Sequence, residues 1–260
     1  MPSLRWSAFV ALASIWTVLF ALPIPFLALT PDRRPVRALT RLWARGVLLL
    51  LHLCVGLRHT VLGRHHVPRG PCLILCNHQS VWETVAVLTL FPDVAIVAKH
   101  ELTRIPIIGW YLRRSPMIVI DREAGASAAR HMAREGRRSL VDGRPVLVFP
   151  EGTRVAATRP IAFRRGAELM RDPRFPLVPM VVDSGAYWPS GGQGSGGTIL
   201  VSILKPVAAT MTSASAFTCA EEMMEYERHR LAGLRMIDDH RIAARPTNTP
   251  ATPISTEPPT

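Results

Sequence analysis

A histidine and a glutamate lie five residues apart in the segment NHQSVWE, in which His78 follows a short apolar run and Glu83 lies one helical turn further on. A neutral imidazole there can take a proton from an alcohol, while a carboxylate on its other ring nitrogen fixes the tautomer and stabilises the imidazolium. The spacing allows that contact across the junction between a loop and a helix. On spacing alone, however, an exposed histidine in a helix-capping loop is the simpler interpretation.

Two further segments carry charged residues to the ends of predicted strands. In VLVFPEGTR a strand ends at Phe149, and in VIDR another strand ends before Asp121 and Arg122. The first of these strands is followed by Glu151, Gly152, Thr153 and Arg154. Ligands bind at the strand ends of α/β sheets, so charged strand ends beside a histidine favour a functional site. Pairing of Glu151 with Arg154 is the purely structural alternative.

Short apolar runs alternate with helical stretches beyond Gly63, which predicts an α/β domain with a largely buried sheet flanked by helices. Strands are predicted over residues 72–76, 94–98, 117–120, 146–149, 177–182 and 199–204. Helices are predicted over residues 81–90, 101–112, 124–141, 163–170 and 220–236. The glycine-rich segment 190–197 is predicted to be a loop rather than a phosphate-binding turn, because a strand and not a helix follows it.

The N-terminal region predicts a membrane segment. No charged residue occurs between Ser7 and Thr30, a run long enough for the roughly 20 residues of a spanning helix. Pro23 and Pro25 interrupt its second half, so a kinked, re-entrant or shallowly inserted segment is the alternative. A cleaved signal peptide fits less well, since only Arg5 precedes the run and the cleavage pattern is poor. Arginines follow at positions 33, 34, 37, 41 and 45, and the positive-inside bias then predicts a cytoplasmic catalytic domain.

The chain divides into three predicted parts. A second apolar stretch over residues 47–57 is too short to cross a bilayer, and the arginines before it predict an amphipathic helix at the headgroup level or a helix packed on the domain. We therefore predict a membrane-anchoring segment at 1–60 and a catalytic α/β domain at 61–238. Residues 239–260 are predicted to be a disordered tail, because Pro, Thr, Ala and Ser cannot form a core.

The composition restricts the kinds of partner. Lysine and arginine total 31 against 19 for aspartate and glutamate, the formal net charge is +12, and 48% of the residues are hydrophobic. A membrane surface or an anionic substrate fits this balance better than nucleic acid, since zinc-finger spacing and RNP-like aromatic clusters are absent. The four cysteines form no CxxC pair, and Cys72 and Cys76 have no second ligand pair downstream, so neither disulfides nor a metal site is predicted. The absence of a GxSxG elbow disfavours a serine hydrolase.

Taken together, these segments resemble the glycerolipid acyltransferases of the 1-acylglycerol-3-phosphate acyltransferase type. NHQSVWE is similar to the first motif of that family, MIVIDR to the second, FPEGTR to the third, and LVPM with Pro179 to the fourth. VAKHEL, IPIIGW, FRRGA and DSGAYW are similar as well, and the resemblance extends from about Val61 to Val207. It implies the glycerolipid acyltransferase fold, with the histidine and acid motif beside a basic acceptor site and a hydrophobic acyl tunnel.

The resemblance also implies roles for single residues. His78 is the implied base and Glu83 its orienting acid, at a position where the family more often has aspartate. The implied acceptor site consists of Lys99, Arg122 and Arg154 toward the phosphate, Glu151 toward the glycerol hydroxyl, Gly152 for close approach of the backbone, and Thr153 in the same loop. Pro116 and Val155 stand where the motifs often have glycine and serine, which bears on loop shape and on the identity of the acceptor.

The implied activity is transfer of a fatty acyl group to the free hydroxyl of 1-acyl-sn-glycerol-3-phosphate (lysophosphatidic acid), which gives phosphatidic acid. The donor is acyl-CoA or acyl carrier protein, and no cofactor, metal or covalent enzyme intermediate is implied. Another acceptor such as lyso-ornithine lipid, or a catalytically silent lipid-binding protein, is the alternative. The expected partners are membrane lipid, the lyso-lipid and the acyl carrier, with no nucleic acid. The expected location is the bacterial inner membrane, with the catalytic domain facing the cytoplasm.

Overall fold

The computed structural model describes residues 3–121, 124–164 and 166–243, with side chains up to residue 235. The helices are α1 (Leu4–Leu19), α2 (Ile24–Leu29), α3 (Arg34–Val55), α4 (Trp82–Leu90), α5 (Ile108–Arg114), α6 (Gly125–Val141) and α7 (Ser213–Ala243). The strands are β1 (Leu57–Leu62), β2 (Leu73–Cys76), β3 (Ala95–Lys99), β4 (Ile118–Ile120), β5 (Val146–Val148), β6 (Leu177–Val182) and β7 (Gly197–Ile203). Short 3-10 helices occupy Arg64–His66, His100–Arg104, Ala167–Met170 and Ser184–Ala186.

Within the described residues, seven strands form one sheet in the order β1-β7-β6-β2-β5-β3-β4. Neighbouring strands are parallel except β6 and β7, which are antiparallel. Buried parallel strands are continuously apolar because helices cover both of their faces, and the LILC sequence of β2 is of this kind. The predicted α/β fold with a largely parallel sheet flanked by helices is confirmed.

Helices pack on both faces of the sheet. Side chains of α1, α3 and α4 form a core on one face, and side chains of α6 and α7 form a core on the other. Successive residues of a strand point to opposite faces, so Ile74 and Cys76 of β2 join the first core while Leu73 and Leu75 join the second. The N-terminal helices are therefore packed on the same face as α4, which carries Glu83.

The carboxyl ends of β2, β3, β5 and β6 meet at one edge of the sheet, because these strands run in the same direction. β2 leads into Asn77 and His78, β3 ends at Lys99, β5 precedes the segment 149–154, and β6 is followed closely by Ser184. Motifs that lie far apart in the sequence therefore converge at one edge. This is the edge at which ligands bind in parallel α/β sheets.

The charge-free N-terminal run holds two short helices. α1 ends at Leu19, residues 20–23 form a turn, and α2 follows from Ile24. Pro23 and Pro25 lack an amide donor, and a proline disfavours helical backbone in the residue before it. At about 1.5 Å per residue, the 16 residues of α1 extend over about 24 Å, less than the roughly 30 Å of a bilayer core. The interrupted segment considered as the alternative is the arrangement found.

Among the described residues, α3 is the one helix with the length and apolar composition to cross a membrane. The amphipathic helix predicted over residues 47–57 is the C-terminal part of this 22-residue helix. One face of α3, with Ala44 and Leu51, is buried against the domain, while Leu53 on the other face is exposed. α3 thus combines both predicted alternatives, since it packs on the domain and still presents apolar side chains outward.

Four other elements differ from the sequence predictions, and the first is the helix predicted over 163–170, which is a 3-10 helix that begins only at Ala167. The pattern did not indicate β1, an edge strand that pairs with β7 and whose residues after Leu57 are largely solvent-accessible. The helix predicted over 101–112 is divided by Pro106 into a 3-10 helix and α5, and Ile107 between them has φ 65°. α7 begins before the predicted residue 220 and extends to residue 243, and the remainder of the predicted tail lies outside the described residues.

Candidate active site

His78 and Glu83 are in direct contact at the carboxyl end of β2. The Nδ1 atom of His78 lies 2.8 Å from Oε1 of Glu83. The imidazole also stacks on the ring of Phe149, with the centroids 4.1 Å apart. His78 is 9% exposed, so the alternative of an exposed histidine in a capping loop does not hold. Because Nδ1 is held by the carboxylate, Nε2 is the ring nitrogen that remains to take a proton.

The carboxylate of Glu83 is enclosed by hydrogen-bond donors. It is 0% exposed. Its Oε1 accepts from the backbone N–H of Gln79 at 2.6 Å and of Ser80 at 2.7 Å, and its Oε2 accepts from the hydroxyl of Ser184 at 2.7 Å. A buried charge needs such donors to replace the water it has lost. The loop after β2 therefore folds around the carboxylate that begins α4.

Asn77 joins the histidine loop to the neighbouring strand β6. Its Nδ2 donates to the carbonyl oxygen of Val182 at 2.9 Å, and its Oδ1 accepts from the Val182 N–H at 2.8 Å. The side-chain oxygen of Gln79 accepts from the N–H of Gly185 at 3.0 Å. These bonds set the position of His78 relative to the end of β6.

Glu151 of the third motif contacts the backbone of the catalytic loop. Its Oε2 accepts from the His78 N–H at 2.5 Å, and the residue is 4% exposed. Burial raises the pKa of Glu151 to about 7 against the opposing effect of that N–H, and the charge of Glu83 adds to the rise. Among the described residues no ion pair joins Glu151 to Arg154, so the purely structural pairing is not found. In this structure Glu151 contacts the catalytic loop, and its implied contact with the glycerol hydroxyl of the acceptor stays a prediction.

A cavity of about 650 Å³ opens beside His78. This volume lies within the range of roughly 300–1,000 Å³ typical of small-molecule sites. Lys99, Thr153 and Arg154, all exposed, line the cavity together with His78. The other lining residues are mostly apolar and include Phe20, Trp43, Leu88, Ile108 and Leu112. The cavity therefore brings exposed basic residues, the histidine and apolar side chains together.

The predicted phosphate-binding residues are brought together in part. Lys99 and Arg154 both line the cavity, and the Nζ of Lys99 lies 2.6 Å from Oε1 of Glu101. Arg122 lies outside the described residues. Lys99 is thus paired with the exposed carboxylate of Glu101. Arg154 forms no ion pair within the part of the chain that the structure describes.

Gly152 shapes the loop that presents Thr153 and Arg154. Its φ of 70° lies in the left-handed region, and a Cβ at this position would come within 2.9 Å of the Arg164 side chain. Gly152 itself lines a neighbouring cavity of about 170 Å³ on the α6 side of the sheet. Its place within the loop is therefore structural, and the close approach of the acceptor to this backbone stays a prediction.

Sequence reasoning assigned no role to Asn77 or Ser184 in the site, nor did it place the N-terminal helices in the cavity wall. Asn77 directly follows β2, and Ser184 follows β6 by two residues. Polar residues at those strand ends were the available signal. Their partners, however, lie about a hundred residues away in the chain, and no local pattern identifies such pairs.

The comparisons with known proteins agree with the fold. Residues 58–183 match the family described as Acyltransferase. The chain is an enzyme, an acyltransferase of the EC 2.3.1 class. It is 35% identical over 183 residues to the 1-acyl-sn-glycerol-3-phosphate acyltransferase of Pseudomonas aeruginosa, with 70% of each chain covered. The chain therefore belongs to the 1-acylglycerol-3-phosphate acyltransferase family of glycerolipid acyltransferases.

Further relatives extend this result. The 1-acyl-sn-glycerol-3-phosphate acyltransferase of Saccharomyces cerevisiae is 29% identical, over 64% of this chain and 56% of its own length. The lyso-ornithine lipid O-acyltransferase of Rhizobium meliloti is 37% identical, over 55% of this chain and 48% of its own length. The crystal structure of the 1-acyl-sn-glycerophosphate acyltransferase PlsC from Thermotoga maritima matches with a TM-score of 0.72 at 21% identity, over 88% of this chain and 95% of that chain. This last match confirms the predicted fold.

Proposed function

We propose that this enzyme transfers a fatty acyl group from a thioester donor to the free hydroxyl of 1-acyl-sn-glycerol-3-phosphate, with His78 as the general base. The observation that carries the proposal is the 2.8 Å contact between Nδ1 of His78 and Glu83, on a cavity that His78 shares with Arg154. A proton acceptor, a cation and apolar side chains then lie together. The name of the Pseudomonas relative supports the same acceptor.

The proposed reaction needs one proton acceptor and two bond changes. The acceptor hydroxyl loses its proton to Nε2 of His78 as its oxygen attacks the thioester carbonyl carbon. Glu83 stabilises the imidazolium that forms. The tetrahedral intermediate then collapses, the C–S bond breaks, and the imidazolium returns the proton to the departing thiolate. The products are an ester and a free thiol, and His78 is neutral again.

The phosphate of the acceptor is proposed to bind Arg154, with Lys99 and Thr153 beside it. A guanidinium forms charge-assisted, often bidentate hydrogen bonds with phosphate oxygens. Arg154 is exposed and lines the cavity that holds His78. Lys99 exchanges its partner Glu101 for the phosphate in this proposal, which the exposure of both side chains permits.

The apolar part of the cavity is proposed to receive the acyl chain of the donor, so that the thioester lies at His78. Its apolar lining favours a hydrocarbon chain through burial of apolar surface. Acyl-CoA and acyl carrier protein present their acyl group on the same kind of thioester arm. The cavity is therefore compatible with both donors.

The N-terminal helices are proposed to hold the enzyme on the cytoplasmic face of a bacterial inner membrane. Large apolar side chains are exposed on all three helices and in the turn after α1, among them Leu12, Ile15, Leu22, Phe26, Leu29 and Leu53. Arg33, Arg34 and Arg45 are exposed on and near α3, where they can contact anionic headgroups. Trp43 of α3 and Phe20 in the turn after α1 line the cavity, so in this proposal a lyso-lipid in the membrane lies close to it.

A panel of acceptors and donors tests this proposal. Purified protein in mixed micelles receives lysophosphatidic acid or lyso-ornithine lipid, each with acyl-CoA or acyl carrier protein as the donor. We expect thiol release that depends on lysophosphatidic acid, together with phosphatidic acid in the mass spectrum. If the enzyme turns over lyso-ornithine lipid but not lysophosphatidic acid, its acceptor is instead the one in the name of the Rhizobium relative. Absence of acceptor-dependent thiol release in every arm would leave a lipid-binding protein.

Replacement of the base tests the role of His78. We expect His78→Ala to lower turnover by about a hundredfold or more, because general-base help contributes roughly two to four orders of magnitude. Co-sedimentation with vesicles should be unchanged. His100→Ala, which removes an exposed imidazole next to Lys99, serves as the matched control and should remain active. Residual turnover of His78→Ala above about a tenth of wild type is incompatible with the assignment.

A further inference from the structure

The buried hydroxyl of Ser184 reaches the catalytic pair from the far side of Glu83. Ser184 begins the short helix after β6 and is 0% exposed. Its Oγ donates to Oε2 of Glu83 at 2.7 Å. The other three contacts of this carboxylate, from His78, Gln79 and Ser80, all involve Oε1. Within the described residues, Ser184 therefore supplies the hydrogen bond to the second oxygen.

We propose that Ser184 is a positioning residue for the acyl transfer, which acts on His78 through Glu83. In this proposal its hydroxyl fixes the rotation of the Glu83 carboxylate, so that Oε1 faces the imidazole while Oε2 is held from the end of β6. The proposal rests on the proposed role of His78 as the general base. It assigns a function to a residue that lies 101 positions from its partner in the chain.

The length of the glutamate side chain explains why such a contact matters. Glutamate has one more rotatable bond than aspartate, and the torsion next to its carboxylate is broad rather than confined to narrow wells. Rotation about the bond between Cγ and the carboxyl carbon moves both oxygens, and the contacts on Oε1 restrain it at one oxygen. The Ser184 hydroxyl restrains it at the second oxygen as well.

The hydroxyl also affects the charge of the pair. In the active form His78 is neutral, and Glu83 carries a negative charge that is buried away from water. The Ser184 hydroxyl stabilises that charge most strongly in this form, because no imidazolium is present to share it. Loss of the hydroxyl should therefore favour the protonated form of the pair formed by His78 and Glu83. As the pH is lowered, the variant should then lose activity at a higher pH than the wild type does.

The test is the pH dependence of kcat/KM in Ser184→Ala, measured by thiol release with the acceptor that supports the highest turnover. We expect kcat to fall by about tenfold, as for loss of a hydrogen bond to a charged group, with the KM for the acceptor unchanged within about twofold. The acid limb should move to higher pH. Ser202→Ala is the matched control, since Ser202 is 3% exposed and its hydroxyl bonds to Glu227, on the opposite face of the sheet. Ser202→Ala should lower thermal stability without moving the acid limb of the pH profile.

A double-mutant cycle with Glu83→Gln separates positioning from general stability. In that background we expect Ser184→Ala to have little further effect, because the charge on which the hydroxyl acts is gone. If Ser184→Ala does not fold, Ser184→Cys carries the same test, since a thiol is a much weaker donor. The proposal is overturned if the acid limb of the pH profile does not move in Ser184→Ala. It is also overturned if the effects of Ser184→Ala and Glu83→Gln on kcat simply multiply in the double mutant. An active His78→Ala would instead overturn the assignment of the base.

Discussion

Two buried carboxylates contact His78 at different atoms. Glu83 contacts the ring, whereas Glu151 contacts the backbone N–H of the same residue. The ring is also stacked on Phe149, which directly precedes the PEGTR loop. The third motif therefore acts on the first in two ways, through a ring contact and through a carboxylate. The identity of the acceptor depends instead on the exposed end of that loop, where Arg154 lies.

Arg154→Ala should weaken the binding of acceptors that carry a phosphate. Loss of a charge-assisted hydrogen bond costs roughly 1.5–3 kcal/mol, so the KM for lysophosphatidic acid should rise by about ten- to a hundredfold while kcat changes less. Initial-rate kinetics over a range of acceptor concentrations measures this. Arg159→Ala, an exposed arginine further along the same loop, is the control and should leave the KM unchanged. An unchanged KM in Arg154→Ala would contradict the phosphate assignment.

Glu151→Gln should change how stability depends on pH. The pKa of Glu151 is raised to about 7 by burial, so the folded protein keeps this proton over a range in which the unfolded chain, with a pKa of about 4.3, has lost it. The carboxyl group therefore stabilises the fold relatively more at low pH, and this contribution is lost as the pH rises through about 7. Glutamine keeps an oxygen for the His78 N–H but cannot titrate.

The unfolding free energy of wild type relative to Glu151→Gln should thus fall between about pH 5 and pH 8, by at most about 3 kcal/mol. Denaturant unfolding in detergent at both pH values measures the difference. Asp183, whose pKa burial raises to about 6, is present in both proteins and cancels in the comparison. A difference that stays constant with pH would show that Glu151 is ionised throughout.

Among the elements, the packing of α1 on α3 closes one wall of the cavity. A Cβ at Gly46 of α3 would lie 2.3 Å from the indole of Trp16 on α1. The Trp16 Nε1 donates to the carbonyl oxygen of Trp43 at 3.0 Å, and the Trp43 Nε1 donates to the hydroxyl of Thr17 at 3.1 Å. Trp43 and Thr17 both line the cavity. The approach of the two helices therefore shapes the site.

Gly46→Ala should destabilise the protein by about 1–3 kcal/mol, because the added methyl group displaces the Trp16 ring. We expect a shift in tryptophan fluorescence and a loss of activity as the cavity wall moves. Gly233→Ala in α7 is the matched control, since its Cβ would meet open space, and the same substitution there should stabilise by about 0.5–1 kcal/mol. Equal effects of the two substitutions on thermal unfolding would argue against the proposed contact.

The molecule as a whole combines an exposed apolar surface with a basic net charge. The chain carries a net charge of +12, and apolar side chains are exposed on the three N-terminal helices. Two of these helices, α1 and α3, form part of the core on the face of the sheet against which α4, the helix of Glu83, packs. In the proposed function, attachment to lipid and access to the active site are therefore linked through the same helices.

Replacing Leu22, Phe26 and Leu29 together by aspartate should weaken vesicle binding by more than about tenfold, because each loses favourable apolar burial in lipid. These side chains are 70%, 78% and 85% exposed. Activity on acceptor embedded in vesicles should fall with binding, whereas activity on a dispersed short-chain acceptor should not. The control, Val141→Asp with Tyr226→Asp, alters side chains that are 62% and 75% exposed on α6 and α7. Equal vesicle binding by both variants would refute the assigned surface.

Local sequence patterns predicted the class of fold and the residues from which a site could be built. Apolar runs of strand length and helical periodicity are local properties, and they placed β2 to β7 and most helices to within a few residues. Residues after strand ends lie where ligands bind, so NHQSVWE and FPEGTR indicated the base and the basic loop. Local patterns predicted less well the helix that Pro106 divides. They also missed the edge strand β1, because its side chains are largely accessible and show no apolar run.

The groups that complete the site are apparent only in the folded structure. Ser184 reaches Glu83 across 101 residues, and Glu151 reaches the His78 backbone across 73. Such contacts arise when parallel strands bring their carboxyl ends to one edge, and their register depends on packing of the whole sheet. The cavity wall formed by α1 and α3 has the same origin, because a void between elements is a property of their packing. A sequence lists the groups that can react, but distances between them exist only in the folded chain.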